Sequence, residues 1–209
     1  MRAGTAALFI AGLVGALAEP EGVRGQTVPV STASASKETK WVVYMVHSQV
    51  DFRVRHLVGR VRGTFTQWYA VLATKGGDWK QGSVDVSVQT ASLSTGNSYR
   101  DADLRSERFF DAGRFPKMTF QGTGFAVMDS TVEVAGFLTI REKSKPIILI
   151  GVYRGIARDP EGHERIAFEA STVVNRRDFG ITYNQAVGGT DLIGNDVEIT
   201  VAIEAVRIN

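Results

Sequence analysis

The sequence contains no cysteine among its 209 residues and only three histidines. The lack of thiols excludes disulfides, cysteine nucleophiles and thiolate metal sites, so the folded chain must be held together by its own hydrophobic core. Lysine and arginine number 24 against 22 acidic residues, and no basic run is longer than a pair. This balance argues against a nucleic-acid partner.

Patterns typical of catalysis are also missing. His47, His56 and His163 lie in no nucleophile-elbow motif, and no His-x-His or His-x-x-x-His pair offers a metal site. The glycine-rich stretch "GGTDLIG" has neither the Lys-Ser/Thr nor the following helix that a phosphate-binding loop needs. The sequence therefore predicts no catalytic residue, no metal and no cofactor. A lipid-modifying enzyme would need a buried acid–base pair, and that alternative stays open.

The N-terminus carries the one long apolar run, "AALFIAGLVGALA", which follows Arg2 and has thirteen residues. It is too short to span a bilayer well, and it ends in a small-x-small exit. We predict a signal peptide over residues 1–18, a periplasmic or secreted protein, and no stable membrane insertion after cleavage. The alternative is a retained anchor. Residues 19–39 are rich in Pro, Ser, Thr and Gly and predict a flexible leader, followed by a single domain over residues 40–209.

Most of this domain has the period-two alternation of β-strands. The stretches "VDFRVRH", "SVDVSVQ" and "DVEITVAIEA" each place apolar side chains on one face only. Turn sequences separate such stretches, and there is no internal repeat. The pattern predicts an all-β antiparallel sandwich or closed barrel.

One segment, about Tyr99 to Phe110, predicts a short helix with Asn97 or Ser98 as its cap. Pro116 then forces an extended entry into the next strand. Between helix and strand lie two bare phenylalanines. We expect the segment to cover one end of an apolar interior, with its mouth formed by Phe109 and Phe110.

Several motifs occur together in a characteristic order: "HSQVDFRVRHL", "GRVRGTF", "RDADLRSERFFDAGRFPKMTF", "GFLTIREKSKPIIL", "VVNRRDFGI" and "NDVEITVAIEA". In these the chain resembles the YceI-like proteins, exported single domains described as polyisoprenoid-binding, from Trp41 to about Ala205. The resemblance implies an extended lipocalin-like barrel of eight antiparallel strands around an apolar cavity for a long lipid, with no common catalytic constellation. The chain departs from the family pattern at Tyr44-Met45-Val46 and at Glu142-Lys143.

The expected ligand-binding residues are mostly inward positions of the strands, together with the two mouth phenylalanines. They are Phe52, Val54, Phe65, Val86, Phe109, Phe110, Met118, Phe120, Leu138, Phe168, Ile199 and Val201. Three further candidates have two interpretations each. His56 is a head-group donor or a satisfied residue at a barrel end. Arg105 faces the mouth or belongs to a solvated helix. Phe179 lines the cavity or forms a structural corner.

These features predict an exported protein that carries, stores or sequesters an isoprenoid or similar amphipathic lipid of the quinone or polyprenyl type. The alternative is a solid barrel that acts as a structural or stress-related interaction module. The strand "PIILIGVY" is apolar on both faces, so something is expected to cover its outer side. A homodimer contact or the packed leader would do so.

Overall fold

The computed structural model describes residues 37–208, and these form strands almost throughout. The strands are β1 (Glu38–Val43), β2 (Gln49–His56), β3 (Gly59–Phe65), β4 (Trp68–Lys75), β5 (Asp78–Gln89), β6 (Leu93–Ser94), β7 (Lys117–Met128), β8 (Thr131–Ile140), β9 (Lys143–Arg158), β10 (Glu164–Asn175), β11 (Ala186–Val187), β12 (Thr190–Asp191) and β13 (Ile193–Arg207). One α-helix, α1 (Ser98–Arg105), and three 3₁₀ turns at Met45–His47, Thr90–Ser92 and Arg176–Phe179 complete the described elements.

The main sheet closes on itself because β13 pairs with β10 on one side and with both β1 and β2 on the other. Short breaks split three long strands into the pairs β1/β2, β3/β4 and β5/β6. These three interrupted strands and the five strands β7, β8, β9, β10 and β13 form a barrel of eight strands, all paired antiparallel. The expectation of an eight-stranded antiparallel barrel is confirmed. The small hairpin β11–β12 forms a sheet of its own.

The alternation of each strand decides which side chains enter the barrel. Two inward phenylalanines also need a glycine on the neighbouring strand. A Cβ on Gly63 would lie 2.3 Å from Cζ of Phe52, and one on Gly136 would lie 2.7 Å from Cζ of Phe120. Each ring therefore lies against bare backbone, which brings aromatic surface close to the wall without widening the barrel.

The helix is present but shorter than the sequence suggested. Its cap is Asn97, whose side chain accepts a hydrogen bond from the Arg100 backbone N–H at 3.0 Å. At the other end the Ser106 hydroxyl donates to the Asp103 carbonyl at 2.6 Å. The chain then folds into a turn that delivers Phe109 and Phe110 to the barrel. The sequence predicted a helix that continues to Phe110, whereas in the structure the helix ends at Arg105.

The predicted signal peptide and most of the predicted leader lie outside the described residues. Strand β1 begins at Glu38, so the end of the predicted leader already belongs to the sheet. In residues 37–208, no helix is long and apolar enough to cross a bilayer.

Candidate functional site

An apolar cavity of about 220 Å³ lies inside the barrel. All of its lining residues are apolar except Asp51, Thr119 and Arg176. Asp51 and Thr119 each stand between two inward apolar residues of a strand, so the alternation turns their side chains away from the interior. Within residues 37–208, Arg176 is thus the one charged side chain that belongs to the cavity wall.

Most of the residues expected from the sequence do line this cavity. They are Phe52, Val54, Phe65, Val86, Phe109, Phe110, Met118, Phe120, Leu138, Phe168, Phe179, Ile199 and Val201. Period-two alternation places the strand residues among them, whereas Phe109, Phe110 and Phe179 arrive from segments outside the strands. Their contact with a ligand stays a prediction, but the geometry brings them to one surface.

The structure does not place His56 or Arg105 on the cavity wall. His56 is exposed at the last position of β2, directly before the hairpin turn. The Arg105 guanidinium donates to the carbonyls of Ala91 at 2.8 Å and Leu93 at 2.6 Å. These bonds fasten the end of α1 to the start of β6, so the position of Arg105 is structural.

One end of the cavity, which we call the floor, is closed by aromatic rings. Trp79 packs edge-on against Phe125 at 5.3 Å and against Phe168 at 5.4 Å between centroids, and it stacks on Trp41 at 6.2 Å. Tyr153 adds a contact with Phe168 at 5.1 Å. All five rings belong to strands of the barrel. The floor is therefore built from side chains of the wall itself.

The opposite end, which we call the mouth, is covered by the chain between β6 and β7. Phe110 meets Phe65 edge-on at 6.1 Å, and Phe109 meets Tyr183 at 5.3 Å. The Arg141 guanidinium donates to the carbonyls of Phe109 and Gly180, each at 3.0 Å. The cover thus consists of α1 and the loop after it, which ring contacts and the bonds of Arg105 and Arg141 hold to the barrel, rather than of strands.

Arg176 lies at the mouth and is only 5% exposed. Its Nε donates to the Gly194 carbonyl at 2.9 Å, and its Nη1 donates to the carbonyls of Ile181 at 2.7 Å and Tyr183 at 2.8 Å. The two acceptors of Nη2, the Ile193 carbonyl and Asn195 Oδ1, are both at 3.4 Å. Every partner is neutral. Burial, followed by the nearby charge of Arg177, lowers the pKa of Arg176 from its ordinary value.

Sequence reasoning missed Arg176 and much of β4. Trp68, Ala70 and Leu72 line the cavity, and their alternation with Tyr69 and Val71 was a usable signal for inward positions. No comparable signal marked Arg176. In the motif "NRRDFG", which holds Arg176, Asn175 Oδ1 accepts a hydrogen bond from the Arg177 N–H at 3.0 Å.

The wall offers no acid–base pair, since among the lining residues the only carboxylate is that of Asp51. One group of possible metal ligands lies elsewhere, where atoms of Asp159, Glu161 and His163 come within 4.8 Å of one another. Asp159 is already bonded there to Arg165 at 2.8 Å. The cavity can therefore bind apolar material, and its lining contains no pair of groups suited to proton transfer.

Comparison with known proteins agrees with this architecture. The family model of the YceI-like domain matches residues 41–205. The chain belongs to the YceI-like family. Protein YceI of Salmonella arizonae is 30% identical over 164 residues, which cover 77% of this chain and 82% of that protein.

Solved structures show the same fold for this YceI-like chain. The Campylobacter jejuni YCEI protein is 28% identical, with a TM-score of 0.65 over 74% of this chain and 90% of that one. A polyisoprenoid-binding domain from Saccharophagus degradans is 12% identical, with a TM-score of 0.63 over 80% of this chain and 98% of that domain. The second likeness, at such low identity, concerns the fold alone.

Proposed function

We propose that this protein is an exported, non-enzymatic lipid-binding protein that holds an isoprenoid or similar amphipathic lipid, of the quinone or polyprenyl type, in its barrel. The observation that carries the proposal is the enclosed cavity, whose wall is apolar apart from one charged side chain at the mouth. The S. degradans domain, described as polyisoprenoid-binding, supports the same ligand class. Transport, storage and sequestration all require such a site.

The length of the wall suits an elongated tail. On β13 the lining runs from Ile193 to Ile203, which is roughly 33 Å along the strand and about 25 Å along the axis at the usual tilt of about 40°. Burial of a hydrocarbon tail gains about 0.8 kcal/mol for each methylene. A tail of a few prenyl units is therefore held without strong polar contacts, and a much longer one must bend or protrude through the mouth.

The polar end of the lipid belongs at the mouth in this proposal. Arg176 is the charged residue of the wall, and the two bonds of its Nη2 are long. A head group with a carbonyl, hydroxyl or phosphate oxygen would compete for this nitrogen, while the bonds of Nε and Nη1 keep the side chain in place. The floor presents only rings, which suits the end of the tail.

A homodimer is also proposed, with its contact on the outer face of β9. Ile148 and Ile150 point outward there and are 51% and 52% exposed. Phe137 and Val173, on the neighbouring strands β8 and β10, extend the apolar area. An isologous contact would cover this surface, and its formation is measured by light scattering of the purified protein with and without Ile150→Asp.

The ligand is tested by native mass spectrometry of protein exported by a bacterial host and purified without detergent, followed by organic extraction. We expect a discrete added mass that extracts as a prenyl lipid. Val86→Phe, which fills the cavity, should remove that mass. The matched control is Val173→Phe on the exposed outer face of β10, which should keep it.

Other results would change the proposal. An extracted fatty acid or amide would keep the binding site and replace the isoprenoid class. A clean apo mass that also takes up no added quinone would contradict lipid binding and favour an interaction module with a solid core. A lipid that leaves in chemically altered form would indicate an enzyme.

A further inference from the structure

The hairpin formed by β2 and β3 carries exposed apolar residues at its tip. Val58 is 98% exposed and Leu57 is 40% exposed. Leu57 also has a left-handed backbone, with φ of 53°, which β-carbon-bearing residues disfavour. Burial against the rest of the described chain explains neither side chain. Adjacent to this tip is the hairpin β11–β12, where Val187 is exposed as well.

Four arginines stand on the two strands behind this tip. Arg53 lies directly opposite Arg62, and Arg55 lies directly opposite Arg60. Like charges that face each other across an antiparallel pair destabilise the pairing. Two successive pairs of this kind make the folded barrel less stable than uncharged residues at the same four positions would.

In the described part of the chain, one carboxylate, that of Glu198, lies within salt-bridge distance of two of these four arginines. Glu198 accepts a hydrogen bond from Arg53 Nε at 2.9 Å and lies 3.8 Å from Arg60 Nη1. Arg55 instead donates to the carbonyls of Leu57 at 2.9 Å and Asp191 at 3.1 Å. Between residues 37 and 208, no carboxylate lies within salt-bridge distance of Arg55 or Arg62. The hairpin therefore presents an excess of positive charge.

The hairpin is hydrogen-bonded to the barrel along β2, while the outer end of β3 extends beyond its neighbouring strand. On one side β2 pairs with β13, and the Leu57 N–H donates to the Leu192 carbonyl at 2.7 Å. On the other side β3 pairs with β6 only at Thr64 and Phe65, so its part from Gly59 to Arg62 has no further strand beside it in the described structure. Val54 of the same hairpin lines the cavity at the mouth. The charged projection therefore stands beside the entrance.

We propose that this hairpin docks the protein on an anionic phospholipid surface, with Leu57 and Val58 in the head-group boundary and the arginines against lipid phosphates. Arginine forms strong, often bidentate hydrogen bonds with phosphate, and a basic segment next to an apolar tip is typical of peripheral membrane contact. An acidic protein would also attract the charge, but it gives no reason for a fully exposed valine beyond the arginines. This surface lies outside the cavity and serves whichever lipid the cavity takes.

The test is flotation of the exported protein with vesicles of phosphatidylcholine alone or with about a third phosphatidylglycerol. We expect binding to the anionic vesicles only, and its loss in high salt, where surface charges are screened. The double variant R55Q/R62Q should weaken binding about 30-fold, since each basic residue near such a surface contributes a factor of about five. L57S/V58S should also weaken it, and V46S/M128S, which removes two exposed apolar side chains outside the hairpin and outside the proposed dimer contact, is the matched control.

Melting temperatures of all variants show whether each still folds. Equal binding of the wild type to neutral and anionic vesicles would overturn the proposal, as would unchanged binding of R55Q/R62Q. Capture of polyglutamate by the wild type but not by R55Q/R62Q, without vesicle binding, would assign the hairpin to an acidic protein partner instead. Lipid retention in the cavity is measured separately, so this proposal and the proposed function can fail independently.

Discussion

At the floor of the barrel, opposite charges are matched. Arg165 contacts Asp159 at 2.8 Å and Glu204 at 2.7 Å, and Glu164 accepts from both Arg158 and Arg207. At the mouth, by contrast, only two of the four arginines of the β2–β3 hairpin, Arg53 and Arg60, lie within salt-bridge distance of a carboxylate of the described residues, that of Glu198. The ion pairs at the floor thus include several acidic residues, whereas the β2–β3 hairpin at the mouth carries an excess of positive charge.

The two ends of the barrel also differ in the kind of segment that closes them. The floor consists of rings carried by strands of the barrel, so the backbone of each ring is positioned by the hydrogen bonds of the sheet. The mouth consists of a loop whose phenylalanines are held by ring contacts and by Arg141. A loop can leave its place at a lower cost than a strand can. A guest is thus expected to enter and leave at the mouth, and four predictions test the contrast.

The largest effect on the free energy of unfolding is expected for a substitution at the floor. Phe168→Ala should lower the free energy of unfolding by about 3–5 kcal/mol, because it removes a buried ring and leaves a cavity among Trp79, Phe125 and Tyr153. Urea denaturation measures the change. Tyr69→Ala removes an aromatic ring from an exposed outer position of β4 and should cost less than about 0.5 kcal/mol. Similar losses at the two positions would contradict a floor that carries stability.

A smaller loss is expected at the corner that supports the mouth. Arg176→Met leaves the carbonyls of Ile181, Tyr183 and Gly194 without their donor, and we expect a loss of about 3 kcal/mol, since buried unpaired acceptors are costly. Arg177→Met removes the same charge from an exposed neighbour and should cost under about 1 kcal/mol. Equal and small losses would show that the corner does not depend on the buried guanidinium.

At the mouth cover, the main effect should fall on ligand release. Phe110→Ala should speed release of a bound prenyl lipid about tenfold, because it removes roughly 1.5 kcal/mol of apolar contact from the closed mouth, with a smaller effect on stability. Stopped-flow transfer to acceptor vesicles measures the rate, and thermal unfolding measures stability. If retention and melting temperature fall together, Phe110 is part of the core and not a gate.

Acid should reduce the stability that the ion pairs of the floor contribute. Burial opposes ionisation of Asp159, but hydrogen bonds from Arg165 and His163 lower its pKa from 3.8 to about 2. The ionised form is thus favoured by folding, so its stabilisation is complete above pH about 4 and is lost as the pH falls towards 2. The pKa of Glu204 also lies below its ordinary value, since bonds from Arg165 and His47 outweigh its burial.

This acid dependence is measured by urea denaturation at pH 7 and pH 2.5. Asp159→Asn should be less stable than the wild type at pH 7 and closer to it at pH 2.5. Asp178→Asn, at an exposed position near the mouth, is the control and should show no such difference. If the free energies of unfolding of Asp159→Asn and the wild type differ by the same amount at both pH values, the shape of the side chain matters and its charge does not.

Much of the site could be predicted because a strand turns every second side chain to the same face. The alternation of β2, β5, β7 and β13 placed inward residues such as Phe52, Val86, Phe120 and Ile199 correctly. The same rule failed for His56, since periodicity gives the face of a residue but not its exposure at the end of a strand. It gave no sign of Arg176, whose burial depends on carbonyls 5 to 18 residues away in sequence.

The sequence alone determined the strand-rich fold class, the inward faces, the short helix with its phenylalanines and the likeness to the YceI-like proteins. Those features follow from local periodicity and from motif order. Only the tertiary structure decided which end is closed by strands and which by a loop, and how the charges are matched. Glu198 meets Arg53 across 145 positions of the chain because β13 closes the barrel beside β2. Such a neighbour is set by the closure of the sheet, which no local pattern encodes.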